Sequence, residues 1–130
     1  MLDSEQRRTF AVLADILIPG TDTMPSATAA GITAHLVDRA LGYRPDLVAE
    51  FSQALADCSC GAPESALDVL STEQPGRFAA LTVIASGAYF LSPRVARAMP
   101  YAAAPRAVRE DIDTYADILE HVVDRGFTIR

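Results

Sequence analysis

The chain contains no lysine and no asparagine, so all 11 of its basic residues are arginine. Codons for both missing residues begin with two adenines, and a GC-rich genome accounts for the absence without any functional meaning. Basic charge is also scarce in sum. With 17 acidic residues the formal charge is −6 and the isoelectric point is near 4.7. That balance argues against nucleic acid or an anionic membrane surface as partner, because both recruit a basic face.

Cysteine is limited to Cys58 and Cys60. A bridge across one intervening residue closes a small strained ring, so no structural disulfide is expected between them. Too few histidines and cysteines lie nearby for a zinc site. Cys58 falls on the apolar stripe of its helix and reads as a core thiol. Cys60, in Ser59-Cys60-Gly61, reads as exposed. No run approaches the ~20 apolar residues a bilayer span requires. The longest, Phe78 to Leu91, is interrupted by Thr82, Ser86 and Gly87. Arg7-Arg8-Thr9-Phe10 has the look of a twin-arginine export motif, but Asp15 and Pro19 interrupt the apolar segment after it, and a solvated helix explains it better. The expectation is a cytoplasmic protein, or one exported only with a partner. Sustained apolar alternation and Asn-Gly or Asp-Gly turns are also missing, which leaves no candidate hairpin.

What remains is helical. The chain has 130 residues, half of them hydrophobic, with mean hydropathy +0.17. That suits one domain over 1–130 with a single core. Asp3 with Gln6 predicts a capped first helix, and Phe10, Leu13, Ala14 and Leu17 give it a buried face, widened by Ile16 and Ile18. Pro19-Gly20 stops it. A second helix is expected from about Ala27 to Leu41, ended by Gly42. Pro45 opens a third, with Leu47, Phe51, Ala54, Leu55 and Cys58 on one side. A short helix from Pro63 to Leu70 comes next, separated by Ser71-Thr72 or Pro75-Gly76 from Arg77 to Leu91. That last run is apolar nearly all round, as central helices are. Ser92-Pro93 caps a brief helix to Met99, and Pro100 to Arg109 reads as irregular. The final helix, about Asp111 to Arg125, aligns Ile112, Tyr115, Ile118, Leu119, Val122 and Val123, and Gly126 closes it. The fold class expected is all-α: a compact orthogonal bundle of about five main helices around a central apolar one.

Complete chemistry is harder to find. His35 has Asp38 and Arg39 nearby, and His121 lies among Asp117, Glu120 and Arg125. Each has the makings of a carboxylate-oriented general base, yet i, i+4 ion pairing on a solvated face yields the same pattern. The acidic group Glu110, Asp111, Asp113 and Asp117 lacks the glycine-centred loop of calcium sites, and first-turn acids stabilise a helix in any case. No Gly-rich phosphate loop, Gly-x-Ser-x-Gly elbow or Cys-x-x-Cys is present, and no catalytic, cofactor-binding or metal residue is assigned. Tyr43, Tyr89, Phe90 and Tyr101 stand near helix ends, where tyrosines either fix loops by a hydrogen bond or serve interfaces.

One order of parts is distinctive. Leu13-Ala14-Asp15-Ile16-Leu17-Ile18-Pro19 is followed by Thr21-Asp22-Thr23, by Pro25, by Ala29-Ala30-Gly31-Ile32 and by Val37-Asp38-Arg39-Ala40-Leu41. Later come Ala88-Tyr89-Phe90-Leu91-Ser92-Pro93-Arg94-Val95 and Pro100-Tyr101. In these stretches the chain resembles the gluconate 2-dehydrogenase subunit 3 family, small helical subunits that accompany glucose–methanol–choline-type FAD-dependent sugar and alcohol dehydrogenases. The resemblance implies a non-catalytic subunit or maturation chaperone, with the flavin and the catalytic base in a large flavoprotein partner and no cofactor in this chain. This chain departs from the usual pattern in having no clear N-terminal export signal, which puts export in question. A rigid Thr/Asp-rich loop offers hydrogen bonds at low entropic cost. Ile18, Pro19, Thr21, Asp22, Thr23, Pro25, Tyr89 and Tyr101 are therefore the expected partner-facing residues. The competing readings are a small ligand-binding protein or enzyme using His35 or His121, and a stand-alone homodimer.

Overall fold

The computed structural model describes residues 1–99 and 112–126, and every regular element among them is helical. The chain divides into two compact units, Met1–Pro100 and Tyr101–Arg130. The first holds α1 (Ser4–Leu17), a wide π-type turn (Ile32–Leu36), α2 (Val37–Tyr43), a 3-10 turn (Pro45–Leu47), α3 (Val48–Asp57), α4 (Pro63–Glu73), α5 (Pro75–Phe90) and α6 (Pro93–Ala98). The second holds α7 (Ile112–Asp124). The stretch expected to be irregular, with Tyr101 and the acids Glu110 and Asp111, lies outside the described residues.

Local chemistry explains most helix starts. Asp3 Oδ1 accepts from the backbone N–H of Glu5 and Gln6 at 2.8 Å each, while the Gln6 side chain accepts from the Asp3 N–H at 3.1 Å. This is the reciprocal capping box the spacing predicts. Pro45, Pro63, Pro75 and Pro93 each occupy the first turn of a helical element, where a missing N–H costs nothing and the fixed φ is already helical.

The core of the first unit forms around α5, which packs on α2, α3, α4 and α6. Ala80, Leu81, Ile84, Ala85, Ala88 and Tyr89 are its buried residues. Phe10 of α1 meets Phe51 of α3 edge to face, with ring centroids 5.4 Å apart. Both rings are fully buried, and each contributes about 1.5–3 kcal/mol relative to an exposed ring. The central position of α5 is as expected. Its coverage is incomplete, because Val83 and Phe90 are exposed.

Several boundaries differ from expectation. Ser71 and Thr72 do not end α4; their hydroxyls donate to the Asp68 carbonyl within the helix, and Gln74 alone separates α4 from α5. Gly42 does not end α2 but lies inside it, and Arg44 is the cap. The larger departure is the second helix. Residues 27–31 form turns, Gly31 adopts φ 80°, and the chain becomes helical only from Ile32, with a kink at Ala34 (φ −80°, ψ −123°). The left-handed conformation at Gly31 interrupts the helical path, and tertiary partners hold the backbone groups released there.

Candidate functional site

The segment from Ile18 to Leu36 is built by side chains that reach it from elsewhere. Its loop closes on itself first. The Thr21 N–H donates to the Met24 carbonyl (2.9 Å), the Met24 N–H donates to Thr21 Oγ1 (3.1 Å), and the Ala27 N–H returns to the Ile18 carbonyl (3.1 Å). The backbone packs closely at Gly20, where a Cβ would stand 3.1 Å from the Ser26 nitrogen and would need the loop to yield slightly.

Next come the anchors. Asp15 of α1 accepts from both the N–H (2.8 Å) and the hydroxyl (2.5 Å) of Thr28. Partial burial raises the Asp15 pKa, but the Thr28 bonds, with a further one from Ser26, outweigh it and hold the carboxyl below its ordinary value. Three donors arrive from the other end of the first unit. Tyr89 Oη donates to the Pro25 carbonyl, Ser92 Oγ to the Ala30 carbonyl and the Arg94 guanidinium to the Ala29 carbonyl, each at 2.7 Å. Finally Arg7 donates to the carbonyls of Thr33 (2.8 Å) and Ala34 (2.6 Å) and to Asp38 Oδ2 (2.6 Å), bracing the kink from α1. The other Asp38 oxygen is buried and has no partner among the described residues.

Tyr89 is thus a loop anchor whose ring is buried and whose hydroxyl bonds within the chain. Thr21, Asp22, Thr23 and Pro19 are exposed, while Ile18 and Pro25 are partly covered. Tyr43 lies within the last turn of α2, exposed, and its hydroxyl accepts from Arg39 at 3.3 Å. Ser92 is the N-cap residue of α6 as expected, but its side chain makes no capping bond and is instead the buried donor to Ala30.

His35 is exposed beside the kink, and Asp38 is engaged by Arg7. His121 is exposed on α7, in the other unit. Among the described residues no three His, Cys, Asp or Glu side chains gather as metal donors. Cys58 is buried; desolvation first, and then the Asp57 charge, push its thiol upward and keep it protonated. Cys60 is exposed at a shallow concavity of about 490 Å³ shared with Asp57, Ser65, Glu73 and Arg77. Arg77 there is engaged by Asp57 at 2.8 Å and Glu50 at 3.7 Å. No helix among the described residues is long and apolar enough to cross a membrane.

Arg7, Ser92 and Arg94 are the residues that sequence reasoning missed as structural anchors. A signal existed for Arg7. It lies three residues before Phe10 and seven before Ala14, at the rim of the buried stripe, whereas Arg8 points away from it. Ser92 and Arg94 carry no local sign of their distant acceptors.

The chain was compared with protein-family models, with curated proteins and with solved structures, and nothing among them matches it.

Proposed function

We propose that this protein is a non-catalytic small subunit or maturation chaperone of an FAD-dependent sugar or alcohol oxidoreductase of the glucose–methanol–choline type. The flavin belongs to the large partner. One observation supports the reading above others. Two of the stretches that carry the resemblance, 13–41 and 88–95, are far apart in sequence yet bonded to each other by Tyr89, Ser92 and Arg94 on Pro25, Ala30 and Ala29. Here they form one unit, a preorganised loop with Thr21, Asp22 and Thr23 at its exposed edge.

The experiment is co-expression of a large flavoprotein subunit of this type from the same genome, with and without the small chain. The expected result is a several-fold loss of soluble, FAD-loaded flavoprotein when the small chain is omitted. Equal yields and equal FAD loading in both cases would defeat the reading.

A further inference from the structure

We draw no further inference here: the strongest candidate, the shallow concavity of about 490 Å³ between the end of α3, α4 and the start of α5, carries nothing, because its lining offers a lone thiol (Cys60) and the carboxylates of Asp57 and Glu73, its guanidinium (Arg77) is already engaged by Asp57 and Glu50, and nothing in the structure points to a ligand for it.

Discussion

Replacing Ser92 by alanine removes one oxygen from a site sealed from water. Ser92 is 1% exposed and Ala30, whose carbonyl its Oγ reaches at 2.7 Å, is 3% exposed. The substitution leaves the carbonyl in place without the donor, and a buried acceptor stranded in this way costs about 1–3 kcal/mol. A cooperative unit of about 100 residues loses roughly 4–8 °C of Tm per kcal/mol, so circular-dichroism melting at neutral pH should show a drop of at least about 4 °C. Ser71→Ala is the matched control. Its hydroxyl donates to a carbonyl one turn back on the surface of α4, and its loss should stay within about 0.5 kcal/mol. Tyr89→Phe removes a second donor from the same segment and should cost about 1 kcal/mol or more alone. Because both bonds hold the same backbone, the double mutant should depart from additivity by about 0.5 kcal/mol or more. A Ser92→Ala melt within about 1 °C of wild type would refute the reasoning, for it would mean that water reaches the Ala30 carbonyl or that the two segments do not meet.

Gly31→Ala should destabilise by about 1–2 kcal/mol, because φ is 80° there, while Gly42→Ala, inside α2 with open space around it, should stabilise by about 0.5–1 kcal/mol; urea titration reads the opposite signs. Arg7→Ala frees two carbonyls and Asp38 together and should cost about 1.5–3 kcal/mol in the same assay, with Arg7→Lys restoring only part, since an ammonium cannot span three acceptors in one plane. The pKa of Asp15 is lower folded than unfolded, so its contribution is complete above the unfolded value, about 3.9, and is lost as pH falls through the folded one. Urea titrations of wild type and Asp15→Asn should therefore differ most at neutral pH and converge below about pH 3.9. An unchanged difference across that range would refute the bonded carboxylate.

Legibility in the sequence tracks the range of the interactions. The α1 capping box and the helical starts at Pro45, Pro63 and Pro93 use partners within a few residues, and the sequence predicts them, whereas Pro75, read as part of a break, instead opens α5. The apolar character of the Phe78–Leu91 run likewise anticipates a central helix. Residues 27–36 behave differently. Their composition suits a helix, yet Asp15 takes the Thr28 N–H, Ser92 and Arg94 take the carbonyls of Ala30 and Ala29, and Arg7 takes those of Thr33 and Ala34. Each of those partners is 13 or more residues away, and only Arg7, at the rim of the buried stripe of α1, carries a local sign of its role. Gly42 misleads for the complementary reason. A left-handed C-terminal cap needs a positive φ, and among the described glycines Gly31, Gly61 and Gly126 adopt one while Gly42 does not. The candidate site is partly visible in the sequence: the position of Tyr89 at the end of α5 suits both a loop anchor and the partner-facing residue it was expected to be, and its burial and bond to Pro25 make it the first, while the stripe of α7 shows as a pattern but not as an exposed surface.

The proposed function has this chain working bound to a large flavoprotein, and the mass of the co-expressed assembly decides it. Size-exclusion chromatography with light scattering and flavin absorbance should show the small chain and the flavoprotein eluting together in fixed stoichiometry, with all of the flavin in that peak. A small chain that elutes alone, free of flavin, beside a fully loaded flavoprotein would contradict it.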